Sequence, residues 1–194
     1  MSYLRSLAIL ACLLLQGAAW ADHSPRVEMQ TTAGKVVIEL DAARAPETVR
    51  NFLAYVDKGF YDGLIFHRVI PGFMAQGGGY DTNYKLKEPA APVSNESRNG
   101  LGNLRGTIAM ARTADPHSAN SQFFINLNDN TRLDGDEYDW GYTVFGKVVE
   151  GMQVIDQIAA IPTGPAGPFR RDVPQGMAII ERVSRIAPMH PAAE

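Results

Sequence analysis

Apolar and polar positions alternate with period two over several short stretches of this chain and adopt a helical period in only two. In VEMQTTAGKVVIEL, Val36, Ile38 and Leu40 oppose Lys35, Val37 and Glu39 beyond a Thr-Ala-Gly turn, a pattern that predicts a β-hairpin. In APETVRNFLAYVDKG, Pro46 suits the first helical position. Val49, Phe52, Leu53 and Val56 recur at helical spacing, and Gly59 ends the run, so a helix is predicted here. Met152, Ile155 and Ile158 predict a second, shorter helix after Gly151.

Between the two helices, segments 64–70, 73–76, 107–111, 122–127 and 143–149 are short, apolar and bounded by turn residues. With the hairpin and MAIIERVSRI near the end they make about eight strands. The pattern therefore predicts a mainly β fold: a closed eight-stranded antiparallel β-barrel capped by two α-helices. The stretch from Asp81 to Arg105, rich in Asn, Gly, Pro and charge, is expected to lie over the surface as a loop bordering a site.

Strand parity sorts the faces. In SQFFINL the residues Phe123, Ile125 and Leu127 form an apolar face suited to a barrel core, while Gln122, Phe124 and Asn126 share the other. Phe124 is thus an aromatic ring among amides, either packed under a loop or flooring a shallow pocket. The same parity sets Phe66 and Arg68 on one side of their strand and His67 and Val69 on the other. Pro71-Gly72 bends the chain, so parity does not carry through to Phe73, Met74 and Gln76.

The first residues change the picture of where the protein works. Arg5, the apolar run Leu7 to Leu15 and the small-x-small triplet Ala19-Trp20-Ala21 read as a secretory signal at 1–21, cleaved after Ala21, ahead of a single domain at 22–194. The run is too short to span a bilayer, so no membrane association is expected after its removal. Cys12 follows Ile9-Leu10-Ala11 as in a lipoprotein box, but too few apolar residues precede it. As the single cysteine of the chain, it leaves with the signal, which excludes disulfide and thiol chemistry.

The net charge of −3 becomes one unit more negative when Arg5 is lost, and no run of Lys or Arg appears. Nucleic acid is therefore not an expected partner. Nor do the four histidines, at 23, 67, 117 and 190, show metal-ligand spacing, so neither metal nor cofactor is expected. His117 stands near Ser118 and Ser121, yet no nucleophile elbow accompanies them, and hydrolysis is disfavoured.

FHRVIPGFMAQGG, followed by GTIAMAR, SQFFINL and VFGKVVEGM in that order, resembles the cyclophilin family of peptidyl-prolyl isomerases over about Thr31 to Ile186. The signal and the MAR variant are similar to exported, periplasmic bacterial members. The resemblance implies isomerisation of X-Pro bonds in exported proteins, assisting their folding, with Arg68 as the catalytic arginine. It implies that Phe73, Met74 and Gln76 line the proline site, that Gln122 and Phe124 match the substrate-binding SQFF stretch and Leu133 the leucine of the hydrophobic pocket, and that Ala111 and Arg112 contact the residues before the proline. Tyr142 falls where the family has a histidine, with Trp140 competing for that place. Arg132 stands where many eukaryotic members carry Trp, so weak cyclosporin binding is expected. A monomer is expected, no coiled coil or long apolar stripe being present. The alternative is a proline-segment binding chaperone with little catalysis, which could dispense with Arg68.

Overall fold

A computed structural model describes residues 24–187 of the chain. The expected signal and its cut after Ala21 lie outside the described residues. β1 (Arg26–Thr31) and β2 (Gly34–Leu40) form the expected hairpin, in register from Arg26 opposite Glu39 to Thr31 opposite Gly34. The first helix, α1 (Pro46–Asp57), buries Val49, Phe52, Leu53 and Val56, as its spacing predicts. The second, α2 (Met152–Ala160), buries Val154, Ile155 and Ile158.

The remaining strands are β3 (Leu64–Ile65), β4 (Arg68–Ile70), β5 (Met74–Gly77), β6 (Thr107–Met110), β7 (Phe123–Asn126), β8 (Val144–Glu150), β9 (Thr163–Ala166), β10 (Phe169–Pro174) and β11 (Ile179–Ile186). Nine of these eleven form one antiparallel sheet in the order β3-β11-β1-β2-β8-β6-β7-β5-β4. The expected closed eight-stranded barrel is therefore corrected to an open nine-stranded sheet. Its two edges, β3 and β4, are consecutive in the chain, separated only by Phe66 and His67. The sheet curls so that its two edge strands are joined through the chain, but among the described residues no ladder pairs them.

That break also corrects the parity at Phe66. Alternation from Arg68 put Phe66 on the Arg68 side, yet Phe66 is buried in the core with Val69, because residues 66–67 belong to no strand and the period of two does not cross them. The hairpin of β9 and β10 was not foreseen. Its sequence, TGPAGPFRRDVP, carries the prolines and glycines of a loop, and it pairs only with itself.

The core enclosed by the sheet and helices contains Phe52, Tyr61, Phe66, Phe123 and Phe145, the Phe52 ring lying 5.2 Å from Tyr61 and from Phe145. A separate cluster occupies the outer face of β5, β6, β7 and β8: Met74, Ala109, Phe124 and Val144, covered by Ile70, Phe73, Leu101, Ala111, Leu133 and Tyr142. This second cluster is buried by its own covering side chains and is separate from the main core.

The segment 81–105 is less superficial than expected. Asn95, Ser97 and Asn103 are buried, and Asn95 Nδ2 donates to the carbonyls of Pro116 and Gly141. The Glu96 carboxylate accepts from the backbone N–H groups of Glu47 and Thr48 at 3.1 and 2.9 Å and from the Thr48 hydroxyl at 2.7 Å. Ala45 offers α1 no side-chain cap, so this distant carboxylate supplies it at the positive end of the helix dipole. Buried amides bonded to backbone make the segment a fixed wall.

Candidate active site

Register across three strand pairs builds the site. Arg68 on β4 lies opposite Gln76 on β5, Gln76 opposite Phe124 on β7, and Phe124 opposite Ala109 on β6. Directly opposed residues share a face, so a cation, an amide and an aromatic ring stand in one row on the outer surface. The row Ile70, Met74, Asn126 runs beside it.

Phe73 precedes β5 and is set by the turn at Pro71-Gly72, where Gly72 takes a φ of 71° that a side chain would strain. Its carbonyl accepts from Leu127 N at 2.9 Å and from Asn130 Nδ2 at 2.8 Å. Leu133 ends a 3₁₀ turn (Thr131–Leu133), and its carbonyl accepts from Tyr142 N at 2.8 Å, so the two walls are tied to each other.

These residues enclose a cavity of about 220 Å³ lined by Arg68, Phe73, Met74, Gln76, Ala111, Arg112, Phe124, Leu133 and Tyr142. Gln122 stands behind the lining, its Oε1 accepting from Gln76 Nε2 at 3.0 Å. All ten residues singled out in the sequence are thus brought together, nine in the wall and one supporting it. Of the two candidates for the histidine position, Tyr142 faces the cavity, its ring 5.7 Å from Phe124 at 76°. Trp140 turns away, with His117 at 5.1 Å and the Arg98 guanidinium at 4.0 Å from its ring. A larger cavity of about 330 Å³ lies over β2, β6 and β8, lined by Glu39, Asp41, Leu101, Leu104 and Lys147 among others, and includes none of the row.

Arg68 is held loosely. Its Nη1 donates to Gln76 Oε1 at 3.5 Å, its Nε lies 3.8 Å from Asp172 Oδ2, and its side chain is 41% exposed. Arg112 is held firmly: Nε donates to the Gly141 carbonyl at 3.0 Å, Nη2 to that of Trp140 at 2.7 Å and Nη1 to that of Thr113 at 2.9 Å. Its guanidinium also covers the Tyr142 ring at 4.6 Å, so this cation works as masonry for the Tyr142 wall. Arg132 lies over Phe73 at 5.1 Å.

Next to Arg68, His67 is buried against Tyr80 and Phe169, at ring distances of 4.7 and 5.5 Å, and its Nδ1 has no hydrogen-bond partner among the described residues. Burial lowers its pKa to about 4. The Arg68 charge adds to this and a hydrogen bond to the Ile65 backbone opposes it. His67 therefore stays neutral near pH 7. Sequence reasoning missed Asp172 beside Arg68; a proline-rich segment carries no periodicity that would have placed it there.

A cavity lined by Phe73, Met74, Phe124 and Leu133 together with Arg68, Gln76 and Arg112, on the outside of a curled antiparallel sheet, has the arrangement expected of a cyclophilin-type enzyme. The family described as cyclophilin type peptidyl-prolyl cis-trans isomerase/CLD matches residues 26–184, and the chain belongs to that family of enzymes. It is 50% identical to peptidyl-prolyl cis-trans isomerase A of Dickeya dadantii, over 89% of this chain and 90% of the relative. It is 51% identical to peptidyl-prolyl cis-trans isomerase B of Escherichia coli, over 81% of this chain and 98% of the relative. A crystal structure of a Cryptosporidium parvum cyclophilin type peptidyl-prolyl cis-trans isomerase, solved in the presence of the dipeptide Ala-Pro, superposes with a TM-score of 0.68 at 26% identity. That match covers 84% of this chain and 99% of that one.

Proposed function

We propose that this chain accelerates rotation about X-Pro bonds of exported polypeptides by a non-covalent mechanism in which Arg68 stabilises the twisted amide. The planar amide resists rotation because the nitrogen lone pair is delocalised into the carbonyl, with a barrier of about 20 kcal/mol. Only contacts stronger with the twisted form than with either planar isomer lower that barrier. As the bond twists, the proline nitrogen regains its lone pair and becomes an acceptor for the guanidinium, whose donors stay charged at any physiological pH.

The observation that carries this reading is the row of Arg68, Gln76 and Phe124 at one cavity whose walls also include the apolar Phe73, Met74 and Leu133. Those walls grip the pyrrolidine ring by contact while Gln76 bonds the substrate backbone, so the chain on the other side of the bond turns. Ala111 and Tyr142 border the groove where the residues before proline lie. The cavity is a mouth for one ring, and Arg132 rather than an indole stands over Phe73, which supports weak cyclosporin binding.

Export rests on the sequence of residues 1–21, whose charged start, apolar run and Ala19-Trp20-Ala21 support cleavage after Ala21 and a periplasmic domain at 22–194. The test of the mechanism is Arg68→Ala in a proline-peptide isomerisation assay. A contribution of about 3 to 4 kcal/mol to the twisted state predicts a fall in kcat/KM on the order of a hundredfold to a thousandfold. Turnover like that of the unaltered protein would sink it.

A further inference from the structure

Asp172 lies on β10, outside the main sheet, and its φ of 68° is unusual for a residue with a side chain. Among the described non-glycine residues only Tyr84 shares a positive φ. The strand it sits in does not need it: β9 and β10 pair at Phe169 opposite Ala166 and again at Val173 opposite Gly164, so Arg170, Arg171 and Asp172 bulge against the single residue Pro165. A left-handed residue costs free energy, less for Asp than for most side chains, and such positions gather at functional sites. Here the bulge turns the Asp172 carboxylate towards Arg68, with Oδ2 3.8 Å from Nε.

The hairpin is anchored for that task. Phe169 packs on His67 at 5.5 Å and on Tyr80 at 4.9 Å, which docks β10 beside β4, the strand that carries Arg68. Arg68 then has a partner at two of its three nitrogens, Gln76 Oε1 at Nη1 and Asp172 at Nε. Among the described residues no side chain engages Nη2.

We infer that Asp172 is a positioning residue for Arg68, holding the Nε side of the guanidinium so that Nη2 is presented to the cavity. The inference rests on the reading of Arg68 as the cation that meets the twisted amide. A free arginine side chain samples many rotamers, and a carboxylate whose charge favours those that keep Nε on its side before substrate arrives improves the geometry of the reacting state without adding a contact to substrate. The Asp172 pair with Arg171, at 3.5 Å, does not explain the bulge, because Arg171 is 83% exposed and such surface pairs contribute little.

The experiment compares Asp172→Asn, Asp172→Gly and the control Arg171→Ala in the otherwise unaltered protein, using a proline peptide followed to saturation. Asp172→Asn keeps the shape and the tolerance of a left-handed backbone and removes the charge. It is expected to lower kcat about fivefold with KM unchanged, and to cause no further loss when added to Arg68→Ala. Asp172→Gly relieves the backbone, so it is expected to lose the same activity with no fall in melting temperature, while Arg171→Ala changes neither. In the substrate-free protein, the Arg68 Nε–H NMR signal is expected to broaden and exchange faster with solvent in Asp172→Asn. An unchanged kcat, or an equal loss with and without Arg68, overturns the inference. An Nε–H signal indifferent to Asp172→Asn overturns it on its own, even if Arg68→Ala were to show that the cation itself is dispensable.

Discussion

Gln76 Nε2 donates to Gln122 Oε1 at 3.0 Å, and this one bond settles which end of the Gln76 amide faces Arg68. With its nitrogen committed to Gln122, Gln76 turns its oxygen to Arg68 Nη1 at 3.5 Å. Two amides and a guanidinium then form a relay with donors and acceptors all pointing one way. Gly79 makes room for it: a Cβ there would stand 2.7 Å from Gln122 Cγ and Cδ.

Removing the acceptor tests the relay. In Gln122→Leu the Gln76 amide loses the partner that orients it and is free to flip its NH₂ towards the arginine, where donor meets donor. The expected outcome is a loss of about 1 kcal/mol of transition-state stabilisation, on the order of fivefold in kcat/KM. Steady-state isomerisation of a proline peptide measures it, and an unaltered rate would show that Gln76 needs no orientation.

Arg112 serves the site by holding Tyr142 and the carbonyls of residues 140 and 141. Arg112→Ala should release that wall, raising KM about three- to tenfold with a smaller change in kcat, since the wall meets substrate in planar and twisted states alike. Arg112→Lys is expected not to restore it, because an ammonium does not present the planar fork that reaches three carbonyls. Recovery in the lysine variant would show that charge alone is required.

His67 should make the fold sensitive to acid. Its pKa is lowered to about 4 when folded, against about 6.5 for an unperturbed histidine, so between these values the unfolded chain binds a proton that the folded one refuses. Stability therefore falls as pH drops from about 6.5 to 4, by at most about 3 kcal/mol from this residue, and does not change on its account above that window. Urea unfolding across pH should show a shallower fall in His67→Phe than in the unaltered protein. Equal slopes would mean that His67 is protonated without cost.

Much of the architecture was legible locally. The hairpin of β1 and β2, the helices after Ala45 and Gly151, and the strands around Ile108, Ile125 and Phe145 carry periodicity that survives folding, because their apolar positions repeat with the period of the element that buries them. The open, nine-stranded order and the hairpin of β9 and β10 were not legible. Closure depends on whether two edges lying at opposite ends of a sheet pair with each other, and TGPAGPFRRDVP has the composition of a loop.

The sequence by itself determined which residues are candidates for the site: the parity of SQFFINL set Phe124 apart from the core face, and the resemblance carried by FHRVIPGFMAQGG named Arg68, Phe73, Met74 and Gln76. Tertiary structure alone decided how they are held, with the Arg112 cation spent on carbonyls, Tyr142 rather than Trp140 in the wall and Asp172 turned to Arg68. The physical reason is range. Hydrophobic period is written in neighbours a few residues apart, whereas the partners of Arg68 and Tyr142 come from segments tens of residues away, brought together only when the sheet curls.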